Sequence, residues 1–320
     1  MKRTRLLGLL PLLMGLAGCG SLVQDVSVDN IPTAKRRMVV QGFISPQDTA
    51  VAVFVDAPTS ILGLYTSNTN IRFPIDSALV DLSDGTRTVR LTRRNPPVPP
   101  ARVSTDLYYA VSTREFPVVA GRTYTLTVSA RGYPSVSARC TVPGGVAPTR
   151  VLVDSTKQQQ GQGTSVRYMA RLSWPDPPNT TNYYQVNGRI RFDIQRRIGQ
   201  GASARDTVFR DENLLYERSG ASTLISDQNR NGQEMTSASY ESFTNFYYGP
   251  DASGGVRRIE ISMSLLNIDE PMYRFLDGVE RQRTQGDNPF AEPVLIPSNI
   301  EGGLGCFGAY NQTTLGVRVR

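Results

Sequence analysis

Residues 301–310 read EGGLGCFGAY, and within them Gly303, Gly305 and Gly308 spell G-x-G-x-x-G. A phosphate cradle of that form needs a strand before it and a helix of about ten residues or more after it, because the pyrophosphate rests on the helix's N-terminal amides. An acidic residue should follow about twenty positions on. Here twelve residues follow Gly308, and Leu315, Val317 and Val319 alternate with polar or small neighbours, the period of a strand. The pattern predicts a final strand and no nucleotide or other cofactor. The glycines are then expected to serve backbone geometry.

Working outward, the rest of the chain also reads as β. Segments 38–45 and 49–55 flank Pro46-Gln47-Asp48. Segments 78–82 and 88–92 flank Ser83-Asp84-Gly85-Thr86, a strong hairpin signal. Segments 108–112, 124–130 and 135–142 follow, with turns at Gly121 and Gly132-Tyr133-Pro134. About seven strands in this space predict an Ig-like β-sandwich over 36–143. The Gly-, Pro- and Gln-rich stretch 144–165 reads as a linker broken only by apolar residues at 151–153. A second β-rich domain is expected over 166–320, with clean alternation at 189–194 and 259–265. It carries one amphipathic helix: Asp269 is placed to cap it, Pro271 suits an early helical position, and Met272, Phe275, Leu276 and Val279 share a face.

The first residues, MKRTRLLGLLPLLMGLAGCGS, join three basic residues to an apolar run of about eleven, too short for a bilayer span of about twenty. They predict a signal peptide over 1–18. It ends in Leu16-Ala17-Gly18-Cys19, which resembles the bacterial lipobox. The resemblance implies cleavage before Cys19, lipidation of its sulfur and amino group, a tether over 19–35 and a membrane-held mature protein. Residues 20–24 (GSLVQ) carry no acidic cluster, so periplasmic and surface-facing placements both stay open.

The chain holds 35 basic and 28 acidic residues; without Lys2, Arg3 and Arg5 the balance is 32 to 28, a net +4. The basic pairs are scattered, so no nucleic-acid surface is expected. There is no histidine, which removes the commonest general base, Ser-His and Cys-His nucleophile pairs and histidine metal sites. Neighbouring carboxylates such as Asp211-Glu212 and Asp269-Glu270 show no converging pattern, so no catalytic residues and no enzyme are predicted. Besides Cys19, Cys140 and Cys306 sit in apolar contexts and read as buried thiols, with a disulfide as the alternative. Asp227-Gln-Asn229-Arg-Asn231-Gly232 opens like a calcium loop, yet position twelve is Ala238 and no flanking helices are evident. A polar turn, and no metal, is expected there.

RLSWPDPP (171–178) leading to Tyr183-Tyr184, the helix around Tyr273, VVQGFI (39–44), NPFAEP (288–293) and above all SNIEGGLGCFG (298–308) resemble domain of unknown function family 4249. Those proteins are Bacteroidota-type envelope lipoproteins. The resemblance implies an outer-membrane lipoprotein, often encoded near TonB-dependent transporters, and brings no established activity or ligand. Cys306 departs from the family pattern, where an aliphatic residue is usual. The lipid anchor, the β-sandwich scaffold and the lack of a catalytic constellation predict a non-enzymatic binding or accessory component working with such a transporter; a structural, adhesive or assembly module of the envelope is the alternative. Asn288, Pro289, Pro293, Asn299, Gly302, Gly303, Gly305 and Gly308 are read as a structural motif. It would thread from the helix into the last strand through positive-φ or closely packed backbone.

Overall fold

Alternation of buried and more exposed residues marks the strands, as in β2, where Val51, Val53 and Val55 are fully buried between Ala50, Ala52, Phe54 and Asp56. The computed structural model describes residues 37–58, 73–94, 107–160, 163–198, 205–217, 220–242, 246–248, 256–285 and 294–319. In chain order the strands are β1 Val39–Ile44, β2 Ala50–Asp56, β3 Leu79–Ser83, β4 Thr88–Arg90, β5 Thr92–Arg94, β6 Tyr108–Ser112, β7 Thr123–Ser129 and β8 Val136–Thr141. Then come β9 Arg150–Gln160, β10 Gly163–Pro175, β11 Tyr183–Ile198, β12 Arg205–Glu217, β13 Leu224–Ser226, β14 Glu234–Thr236, β15 Tyr240–Ser242, β16 Phe246–Tyr248 and β17 Val256–Ile268. Helix α1, Glu270–Gln285, and strand β18, Leu304–Arg318, complete the order. The protein is thus mainly β, with one helix among the described residues.

The first half is a two-layer sandwich. Strands β1-β2-β6-β5 form one layer and β4-β3-β7-β8 the other. Val40, Val53 and Val111 from the first meet Leu82, Leu126 and Ala138 from the second in one core. This grouping is compatible with an Ig-like order, but the first layer does not stop at β1. It runs on through β18 into a path β14-β10-β15-β12-β11-β17-β18-β1-β2-β6-β5.

In the second half, side chains from β10, β11, β12 and β17 share a second core around Trp174 and Tyr184, and Val151 of β9 and Leu315 of β18 pack against it. Strands far apart along the sheet therefore face the same interior, so the sheet folds over on itself. The stretch expected to be a linker is mostly strand: β9 pairs antiparallel with β10 from Arg150↔Ser173 to Gly163↔Gln160. The residues before β9 are also held, since Asn311 and Asn267 donate side-chain hydrogen bonds to the carbonyls of Pro143 (3.0 Å) and Gly144 (2.9 Å). The described residues fall in one compact unit.

Strand β18 joins the halves. Its first residues run parallel to β1, from Leu304↔Val39 to Ala309↔Ile44. The rest runs antiparallel to β17, from Tyr310↔Ile268 to Arg318↔Glu260. A third cluster, with Leu224, Leu266, Ile268 and Met272 at its centre, seats α1 on this junction, and Tyr183 stacks on Tyr273 with ring centroids 4.5 Å apart.

Candidate functional site

The glycine motif lies where β1, β8, α1 and β18 meet. Gly302 has φ +80°, and its neighbour Glu301 bridges to Ser137 at the start of β8. Gly305 has φ +107°, and a Cβ there would sit 2.1 Å from the Val40 carbonyl oxygen. Gly303 and Gly308 need no unusual φ; they are small because of what approaches. A Cβ on Gly303 would lie 2.9 Å from Ile300 Cγ2 and 3.0 Å from the Met38 carbonyl, and one on Gly308 would lie 2.7 Å from Met272 Cβ on α1. Asn299 completes the junction: its amide accepts from Phe307 N–H (2.9 Å) and donates to the carbonyls of Phe307 (2.7 Å) and Arg139 (3.1 Å). After Gly308 the chain continues as strand to Arg318, so the motif opens no helix of its own, and the first turn of α1 that packs on Gly308 is already capped by Asp269. Asn288, Pro289 and Pro293 lie outside the described residues.

Two buried thiols and a buried carboxyl back this junction. Cys140 and Cys306 are buried and free; burial pushes both thiols upward, Cys306 to about 12. Asp269 caps α1 as expected, its Oδ1 accepting from Met272 N–H at 3.1 Å while its own N–H donates to the Ala309 carbonyl at 2.9 Å. Burial pushes the Asp269 carboxyl up to about 7, against the pull of the nearby backbone N–H groups of Ala309, Met272 and Thr141.

The calcium-like stretch is a clasp between two loops. Asp227 Oδ2 accepts from Asn182 N–H (2.9 Å), and Asn231 bonds Asn179 N–H (2.8 Å) and the Thr180 carbonyl (2.6 Å). Asp176 accepts from Tyr184 O–H at 2.5 Å and from Gly232 N–H at 2.8 Å. Asn229 and Gly232 supply the positive φ that the turn requires, 66° and 75°. These oxygens serve the protein's own donors. A chelator should accordingly leave the melting temperature unchanged; a drop reversed by calcium would overturn this reading.

A concavity lies between α1 and the β11–β12 ribbon, as two adjoining hollows of about 510 and 730 Å³ that share Gln185, Thr223, Glu280 and Thr284. Its floor is tight: a Cβ on Gly188 would lie 2.7 Å from Met263 Sδ and 3.0 Å from Leu215 Cδ1. On its rim Leu214 and Tyr216, two apart on β12, are 50% and 45% exposed. Ser222 Oγ donates to Glu280 at 2.7 Å, and Arg189 pairs with Glu212 at 2.7 Å.

The family described as "Domain of unknown function (DUF4249)" matches residues 24–315. This chain belongs to the DUF4249 family. The match takes in the sandwich, the clasp, the groove and nearly all of β18, so the features above are those of a whole DUF4249 unit. A comparison with curated proteins finds no match. Among solved structures, the C-terminal globular domain of an oligosaccharyltransferase from Pyrococcus abyssi aligns at 8% identity and a TM-score of 0.13. The alignment covers 89% of this chain and 49% of that one, and carries no argument about fold or function.

In this DUF4249 chain the lipidation residue read from the sequence, Cys19, lies outside the described residues. The carboxylate pairs are spoken for separately: Glu212 pairs with Arg189, Glu270 with Arg274 (2.5 Å), and Asp269 is the helix cap. The groove was not legible in the sequence. Its lining comes from β11, β12, residues 220–224 and α1, which no local period connects; of these, the sequence marks only the helix and the 189–194 part of β11.

Proposed function

We propose that this protein is a lipid-anchored, non-enzymatic component of a Bacteroidota-type outer membrane, a binding or accessory partner of a TonB-dependent transporter. The observation that carries this reading is the basic, apolar, small-residue order of residues 1–19 ending in Leu16-Ala17-Gly18-Cys19. Among the described residues no helix is long and apolar enough to cross a membrane; the lipid on Cys19 would supply the attachment. A β unit with an open groove suits binding, and the lack of histidine and the separately engaged carboxylates favour binding over turnover.

Exposed apolar residues along β12 (Val208, Phe209, Leu214 and Tyr216) favour a second reading, an adhesive or assembly module. Cys19→Ser should leave the precursor uncleaved, unlabelled by a fatty-acid probe and released from membranes. A mutant that labels like the parent would remove the anchor. Native pull-down of the parent from membranes should bring a transporter with it; recovery of envelope structural proteins without one would favour the second reading.

A further inference from the structure

We propose that the groove between α1 and β11–β12 takes a neutral oligosaccharide, an inference that rests on the binding reading above. Its size lies within the range of small-molecule sites. The backbone beneath it is closed. β11 is paired on one edge with β17 (Gln185↔Leu266, Asn187↔Ser264) and on the other with β13 (Gln185↔Leu224) and β12 (Gly188↔Leu215). Between these, Val186 donates its N–H to the Thr223 carbonyl and accepts from Tyr240 O–H at 2.7 Å. β12 is paired with β15 on its other side at Leu215–Glu217. Along Gln185–Gly188 and Leu215–Glu217 an extended peptide therefore finds no strand edge to join, and there a ligand must be read by side chains.

Those side chains suit a polyol. The planar amides of Gln185 and Asn187 and the hydroxyl of Thr223 both donate and accept, while Thr284, whose hydroxyl donates to the Glu280 carbonyl at 2.8 Å, can still accept. Charge along the lining is balanced, Glu217 and Glu280 against Arg189 and Arg283, which disfavours a phosphorylated or polycationic ligand. The exposed Tyr216 ring and Leu214 give an apolar wall on which the C–H face of a sugar can lie. An acyl chain, by contrast, would leave the amides and hydroxyls desolvated and unpaired.

The test is calorimetric titration of the full mature chain with neutral glucose, xylose, mannose and galactose hexasaccharides, alongside a sugar phosphate and an uncharged apolar peptide. At least one neutral hexasaccharide should bind saturably and with little salt dependence. Tyr216→Ala and Asn187→Ala should each weaken it about tenfold or more while the melting temperature holds. No binding by any of the four, preference for the sugar phosphate or the peptide, or affinity unchanged in both variants overturns the proposal. Transporter recovery in the pull-down is independent of this result: sugar binding without a transporter leaves the groove inference standing and removes the accessory role, and the reverse outcome removes only the groove inference.

Discussion

Gly305→Ala should lower the melting temperature by roughly 10 °C, on the order of 3 to 5 kcal/mol for a unit of this size. Two effects add at this position. With φ +107°, the backbone lies where an L side chain is strained, which costs about 1 to 3 kcal/mol. The new methyl would also sit 2.1 Å from the Val40 carbonyl oxygen, on the strand that β18 joins in parallel. Backbone cannot swing aside as a flexible side chain can, so β1 and β18 must part where the two halves are joined. Gly85 provides the control, since its φ is +89° and nothing lies within 4 Å of a Cβ there. Gly85→Ala should therefore cost about 1 kcal/mol, the conformational part alone. Thermal unfolding of both variants separates strain from collision. Equal, small shifts would show that β18 tolerates displacement and that the motif does not hold the halves together.

What the sequence made legible was local. The expected strand at 38–45 is β1 at Val39–Ile44, and the Asp269-capped helix appears as α1, because each is specified by its own period and cap. β9 is not legible in the sequence because only Val151 and Val153 face a core, while residues from Asp154 to Gln159 are exposed and polar. β12 is hidden for a similar reason: Val208, Phe209, Leu214 and Tyr216 are all exposed, so burial imposes little alternation on it. The glycines signalled special backbone but not its kind. Gly305 needs positive φ, whereas Gly303 and Gly308 yield space to the Met38 carbonyl and to α1, partners more than 200 and about 36 residues away. The groove lay furthest from reach, since it exists only once α1 is laid across β11 and β12.

Stability should fall as pH rises from 5 to 8, and Asp269 is the group expected to cause it. Burial holds its folded carboxyl near 7, while in the unfolded chain it titrates near its ordinary 3.8. Below the lower value both states are protonated and the native state has its full stability. Between the two values the unfolded chain releases the proton that the native chain keeps, so each unit of pH lowers stability, up to about 1.4 kcal/mol per unit. Above 7 both states are ionised and the loss levels off. The background in this window is quiet. The chain has no histidine, and Cys306 and Cys140, the neighbours on β18 and β8, are pushed upward out of it. Asp48 is also raised by burial and adds a slope of the same sign. Asp269→Asn keeps a good helix cap without the charge. It should flatten most of the slope and match or exceed the parent at pH 8, while giving up little at pH 5. If the parent instead gains stability from pH 5 to 7 and Asp269→Asn abolishes the gain, the backbone N–H groups of Met272, Ala309 and Thr141 outweigh burial, and the helix is capped by a carboxylate.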